Sequence, residues 1–137
     1  IPREDWRRAC DQHADLAELV HRTTQAAMSR MSERMLRLGK GTAENTVAFA
    51  LCELCLRSTD DGLVDGKEFH IPMTQQQLGD FCGLSAVHIC RTLRRLERHG
   101  VLTVTDHMNI VVHDTVTLAD MAEIVPKGLR QKLLPAV

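Results

Sequence analysis

The residues whose chemistry stands out are four arginines that lie between positions 85 and 100 with one glutamate among them. They are Arg91, Arg94, Arg95 and Arg98. A guanidinium presents paired N–H donors that fit O6 and N7 of guanine, and it also binds phosphate oxygens. Because the whole chain has a formal net charge of −1, any attraction to a polyanion such as DNA would have to come from a local cluster of this kind.

These arginines are expected on the exposed face of a helix that begins after Ser85. Ile89, Leu93 and Leu96 recur at the i, i+4, i+7 spacing of a buried stripe. That stripe turns Val87 and the four arginines toward solvent. The pattern therefore predicts a helix with one apolar face and one strongly positive face.

A shorter helix is predicted just before it, with Leu78 and its neighbours as the inward face. Thr74 can cap this helix with its hydroxyl, and Gln77 occupies the position that closes a capping box. Gly83 follows where a left-handed residue would end the helix, and Ser85 is placed to cap the next one. Two short helices joined by a glycine turn, with arginines on the second, indicate a helix-turn-helix that contacts DNA.

The spacing from Thr74 to Leu96, Thr-x-x-x-Leu-Gly-x-x-x-Gly-x-Ser-x-x-x-Ile-x-Arg-x-Leu-x-x-Leu, resembles the DNA-binding domain of the Crp/Fnr family of bacterial transcription regulators. The likeness extends over most of the chain. It implies a homodimer that binds a two-fold operator in double-stranded DNA, controlled by an N-terminal effector-sensing β-roll. Since Ile1 opens a segment similar to the stretch after that β-roll, we expect a truncated or processed piece without the sensor.

The residues at the start of the second helix are the candidate base contacts, because a recognition helix enters the major groove with its N-terminal end. They are Ser85, Ala86, Val87, His88 and Arg91. The family motif places its base-reading arginine at Arg91, for which contact with a phosphate is the alternative. His88 could donate to a base or a phosphate, whereas Ala86 and Val87 could only touch a thymine methyl.

Four further residues are candidate backbone contacts. Arg94 and Arg95 lie farther along the helix, where phosphate contact or solvation is expected, and Thr74 and Gln76 match phosphate-gripping positions of the resembled family. For Thr74 the alternative is helix capping alone. Many family members carry glutamate where this chain has Val87, so their operator sequence cannot be carried over.

A long helix is predicted upstream, from about Asp15 to Leu38, and its narrow apolar stripe favours pairing with a second copy. The predicted interface residues are Leu16, Val20, Ala27, Met31, Met35 and Leu38. The alternative is that the stripe packs on its own domain. Gly39 and Gly41 end this helix, and in the resembled family such a joint is where the DNA-binding domain swings.

The complete prediction is a mainly α fold with a small β-hairpin wing, in which a winged helix-turn-helix follows a long dimerisation helix. Residues 1–40 form the N-terminal helical segment, 41–125 the DNA-binding domain and 126–137 a frayed tail. Within the second unit we expect a helix over 43–57, a short strand at 69–71 and a hairpin with its turn at 106–108. A last helix is expected over 118–124.

Other function classes are poorly supported by the residues. No stretch is apolar enough to span a membrane and no signal peptide is visible, which favours a cytoplasmic location. No catalytic motif occurs, so neither an enzyme nor a cofactor is expected. Of the five cysteines, Cys52 and Cys55 form a C-x-x-C within an apolar helical pattern, and this pair is interpreted as packing residues rather than metal ligands.

Two alternatives and one further partner stay open. The chain could be a winged-helix protein-interaction module, or a thiol- or metal-responsive regulator that uses Cys52, Cys55, Cys82 and Cys90. RNA polymerase is a candidate partner because activation needs a surface that touches it, and the residues alone identify none.

Overall fold

The computed structural model describes residues 1–59, 62–125, 128, 130 and 133–134. The described helices are α1 (Arg3–Gln12), α2 (Ala14–Lys40), α3 (Ala43–Ser58), α4 (Gln75–Cys82), α5 (Ala86–Arg98) and α6 (Thr115–Met121). The strands are β1 (Glu68–His70), β2 (Leu102–Thr105) and β3 (Asn109–Val112). The predicted fold class, mainly helical with a small sheet, is confirmed. Most of the predicted frayed tail lies outside the described residues, but Leu133 within it is fully buried in the core, so the prediction of fraying is wrong at that residue.

The predicted long helix is present as α2, whose 27 residues extend it slightly at both ends. His13 separates it from α1 by adopting an extended conformation, with φ −128° and ψ 96°. At the other end Gly41 is extended as well, and its N–H donates to the carbonyl of Arg37 at 2.7 Å. The chain can therefore turn at Gly41 into the next helix while the last turn of α2 stays satisfied.

The centre of the fold is α3. Its N-terminus is capped by Thr42, whose Oγ1 accepts from the backbone N–H of Asn45 at 3.1 Å. Its apolar side chains are buried all around the helix, which is typical of a helix inside a core. Val47, Phe49 and Leu51 all lie within the main apolar cluster, which also receives side chains from α4, α5, α6 and the sheet.

The three strands form one antiparallel sheet in the order β1-β3-β2. The predicted hairpin corresponds to β2 and β3, joined by a short 3₁₀ turn at 106–108. The structure adds β1 to the free edge of β3, with Phe69 opposite Ile110. Since neighbouring strands in sequence pair by default, the sequence did not predict this longer-range pairing.

The last helix was predicted at the wrong position. The sequence analysis placed it over 118–124, whereas α6 spans Thr115–Met121. It begins early because the Asp114 carboxylate accepts from both the N–H (2.8 Å) and the hydroxyl (2.6 Å) of Thr117. These hydrogen bonds also lower the pKa of Asp114. Glu123 has φ 52° and lies beyond the helix end.

Candidate nucleic-acid interface

The turn between α4 and α5 is built around two glycines. Gly83 has φ 67°, the left-handed conformation predicted for it. Gly79 lets the two helices approach closely, because a Cβ there would lie 2.5 Å from the carbonyl oxygen of Leu84. The N–H of Leu84 donates to the carbonyl of Gly79 at 2.8 Å. The orientation of α5 relative to α4 is therefore fixed by backbone contacts.

The predicted capping box of α4 is confirmed. Thr74 Oγ1 accepts from the N–H of Gln77 at 3.2 Å, and Gln77 Oε1 accepts from the N–H of Thr74 at 2.9 Å. Thr74 and Gln76 are both exposed at this end of α4, and the side-chain amide of Gln76 donates to Asp80 at 3.3 Å. Their contact with DNA stays a prediction.

The two faces of α5 are those predicted from its sequence. Ile89, Leu93 and Leu96 are buried in the core. The opposite face exposes a valine and four arginines, namely Val87, Arg91, Arg94, Arg95 and Arg98. The helix therefore has a positively charged face that is not buried against the core.

Ser85 organises the start of α5 in a way that the sequence only partly predicted. Its Oγ caps the helix by accepting from the N–H of His88 at 3.3 Å. The same Oγ lies 2.8 Å from Nδ1 of the His88 ring. When the hydroxyl donates to Nδ1, the ring proton is on Nε2, so Nε2 is the atom that can donate to a base or phosphate. Ala86, beside them, is half-buried.

Arg95 has a partner that sequence reasoning missed. Its guanidinium forms an ion pair with Glu44, which lies in the first turn of α3. The start of α3 and the arginine face of α5 together form a concave surface with a volume of about 750 Å³. Its lining includes Thr42, Glu44, His88, Arg91, Arg94 and Arg98. No local sequence signal links Glu44 to α5, because the two lie far apart in the chain.

The sheet is attached to α5 by Glu97, the single acid among the arginines. Its Oε1 accepts from the backbone N–H of Val104 in β2 at 2.9 Å. On the exposed side of the sheet, Thr103 Oγ1 lies 2.7 Å from His113 Nε2. The wing therefore keeps a defined position next to the candidate recognition helix.

The cysteines lie mainly in the core. Cys52, Cys55 and Cys82 are buried, and burial raises the pKa of Cys52 and of Cys82 to about 12. Protonated thiols of this kind are poor nucleophiles and poor metal ligands. Within the part of the chain that the structure describes, no three His, Cys, Asp or Glu side chains gather into a metal site.

The predicted dimer helix, α2, has one face that contacts the rest of the protein and another that exposes apolar side chains. On one face, Arg34 and Arg37 contact the rest of the protein. On another, Met31, Met35 and Leu38 are each more than half exposed, at 61%, 69% and 61%. The remaining predicted interface residues, Leu16, Val20 and Ala27, are half-buried.

Within the described residues, no helix is long and apolar enough to cross a membrane.

Comparison with protein families gives a match over residues 46–121 to the Crp-like helix-turn-helix domain. A probable transcriptional activator of Rhizobium leguminosarum bv. viciae is 28% identical over 121 residues, which cover 88% of this chain and 50% of the relative. The nitrogen fixation regulation protein FixK of Azorhizobium caulinodans is 30% identical over 93 residues, or 68% of this chain and 38% of the relative. The chain thus spans half or less of the length of these relatives.

A solved structure shows the same arrangement of elements. FixK2 from Bradyrhizobium japonicum superposes with a TM-score of 0.75 at 26% identity, covering 88% of this chain and 59% of that one. The structural similarity extends beyond the family match, which begins at residue 46, because a superposition over 88% of this chain must include part of the N-terminal helices.

Proposed function

We propose that this chain, which belongs to the Crp/Fnr family and carries its Crp-like helix-turn-helix domain, binds specific DNA sequences as a homodimer and regulates transcription. The printed names of its relatives describe transcriptional activators and regulation proteins. In this proposal α5 enters the major groove, and the protein has no catalytic activity of its own.

One observation carries the proposal: α5 buries Ile89, Leu93 and Leu96 in the core and leaves Arg91 and its neighbouring arginines exposed on one surface. Arg91 lies in the N-terminal half of α5, the part of the helix that enters the major groove in this proposal. A bidentate contact with guanine there is worth about 1–3 kcal/mol of discrimination against other bases. In this proposal Arg94 and Arg95 contact phosphates, as do Thr74 and Gln76 at the start of α4. Ser85 supports His88 beside Arg91.

The dimer is proposed from α2. Its exposed Met31, Met35 and Leu38 form an apolar stripe on a 27-residue helix, and such a stripe is covered when two copies pair. Two recognition helices related by a two-fold axis would contact half-sites about one helical turn apart. We assign the protein to the bacterial cytoplasm, where its operator would lie, and include RNA polymerase among its partners when it activates.

Selection of duplexes from a random pool tests this function with the chain itself. The expected result is an enriched two-fold motif with two half-sites, bound in preference to unrelated DNA at physiological salt. Binding that is weak, independent of sequence and abolished at that salt concentration would contradict the proposal. That result would favour a winged-helix protein-interaction module instead.

A further inference from the structure

Glu53 is a fully buried carboxylate at the centre of the fold. It lies on α3, the central helix, where an unpaired negative charge would be strongly unfavourable. Three arginines lie close to its carboxylate. Arg34 is closest, while Arg30 and Arg57 each place a guanidinium nitrogen 3.7 Å from Oε1. Two of these three arginines, Arg30 and Arg34, come from α2.

Arg34 connects α2 to two other helices at once. Its Nε donates to Glu53 Oε2 at 3.0 Å and its second terminal nitrogen to Oε1 at 2.7 Å, which is a bidentate pair. The face of the same guanidinium lies over the ring of Phe81 in α4, with 3.8 Å between its central carbon and the ring centroid. Arg34 therefore contacts both the central helix and the first helix of the helix-turn-helix.

Arg37 makes a second connection one turn farther along. It is buried, and its guanidinium lies 3.8 Å from the ring centroid of Phe49. Two of its nitrogens donate to the carbonyl of Ala122, just after α6, at 2.8 and 3.3 Å. These contacts cross the joint at Gly41, so the chain on either side of the joint is held by side chains as well as by the backbone.

The packing between α2 and the domain leaves a cavity of about 60 Å³ between Arg34, Arg37, Phe49 and Phe81. A tightly packed apolar interface would set the angle between the helices by interdigitation. Here directional hydrogen bonds and stacked guanidinium groups do so, and Arg34 makes contacts of both kinds.

We propose that Arg34 is a positioning residue for DNA recognition: by holding Glu53 and Phe81 it sets the angle between α2 and the domain that carries α5. In the dimer this angle determines the separation of the two recognition helices and hence the half-site spacing that the protein accepts. The inference rests on the proposed dimeric DNA binding. The joint at Gly41 can then swing only when the Arg34 contacts release.

The test compares Arg34→Lys with Arg8→Lys. The first variant keeps a positive charge beside Glu53 but loses the planar fork and the stacking surface. The second makes the same change at an exposed residue of α1 whose ion pair with Asp5 stays within that helix. Affinity is measured for duplexes with one half-site and for duplexes whose two half-sites are separated in steps of one base pair.

We expect Arg34→Lys to keep its affinity for one half-site within about twofold and to lose about tenfold at the best spacing. The loss should be smaller at neighbouring spacings, so the profile of affinity against spacing becomes flatter, while Arg8→Lys keeps the original profile. An unchanged profile for Arg34→Lys overturns the inference. An equal loss on one and two half-sites also overturns it, because Arg34 would then act on the fold of the domain.

Amide hydrogen exchange gives a readout that does not need DNA. Arg34→Lys should speed exchange over residues 30–40 and leave α5 unchanged, and unaltered exchange over 30–40 would refute the positioning contact. If the unmodified chain binds no duplex, the proposed function fails, while the exchange measurement still decides whether Arg34 holds α2 to the domain.

Discussion

Arg95 on α5 is ion-paired with Glu44 on α3, so one of the arginines expected to contact phosphate already has a carboxylate partner. Both side chains are partly exposed, at 56% and 31%, and an exposed pair of this kind contributes little to stability. Its larger effect is electrostatic, because a negative charge lies beside the surface that would face DNA.

Glu44→Gln should therefore increase affinity for DNA of unrelated sequence. Removing one carboxylate beside Arg95 reduces repulsion from phosphates, and we expect binding about threefold tighter at low salt. Fluorescence anisotropy with a random duplex measures the change. Glu18→Gln on α2 makes the same charge change away from α5 and should have no effect. Equal affinity of Glu44→Gln and the parent would place Glu44 away from bound DNA.

Met31→Glu should shift the protein from dimer to monomer. The residue is 61% exposed within one chain, and in a dimer two like charges would be brought together in an apolar seam. Analytical ultracentrifugation reports the change. Ser32→Glu, at an exposed polar position next to it, is the matched control. An undisturbed dimer in Met31→Glu would move the interface elsewhere.

Gly79→Ala should destabilise the domain by about 1–3 kcal/mol. The added Cβ would lie 2.5 Å from the carbonyl oxygen of Leu84, a backbone atom that cannot easily move. Gly39→Ala is the control, because its Cβ would meet nothing within 4 Å and alanine favours a helix over glycine. Urea unfolding distinguishes them. Equal stability of Gly79→Ala and the parent would show that the turn relaxes freely.

The buried thiols should react slowly in the folded protein. Burial raises the pKa of Cys52 and Cys82 from 9.0 to about 12, so at pH 8 almost none is thiolate. Because the pKa of these thiols is higher in the folded protein than in the unfolded one, they contribute stability that is complete below pH 9. This contribution is lost as the pH rises from 9 toward 12.

Iodoacetamide labelling at pH 8 followed by mass spectrometry tests this expectation. Half-buried Cys90 is the internal reference, and urea should make all the cysteines reactive. If Cys52 and Cys82 react as fast as Cys90 in the folded protein, a thiol-responsive role regains support.

The parts of the fold predicted from sequence are those set by local signals. The capping box at Thr74, the left-handed Gly83 and the buried stripe through Ile89 each depend on residues a few positions apart. The predicted start of α6 was wrong because the Asp114 carboxylate caps the helix by accepting from the N–H of Thr117, so the helix begins at Thr115.

The parts that could not be predicted depend on contacts between distant segments. Pairing of β1 with β3, the ion pair between Glu44 and Arg95 and the burial of Glu53 beneath Arg34 all join residues that are remote in sequence. A glutamate within the apolar stretch of a helix, such as Glu53, indicates that its carboxylate needs a partner when it is buried. It does not show which of several arginines on a neighbouring helix supplies it.

The most direct test of the account is the discrimination of Arg91→Ala between the selected operator and a random duplex, measured at several salt concentrations beside Arg98→Ala. We predict that Arg91→Ala loses about 1–3 kcal/mol of discrimination and keeps weak, salt-sensitive binding. Arg98→Ala should weaken both duplexes alike. If Arg91→Ala loses affinity equally for the operator and for random DNA, Arg91 does not contact a base and the account of sequence recognition is contradicted.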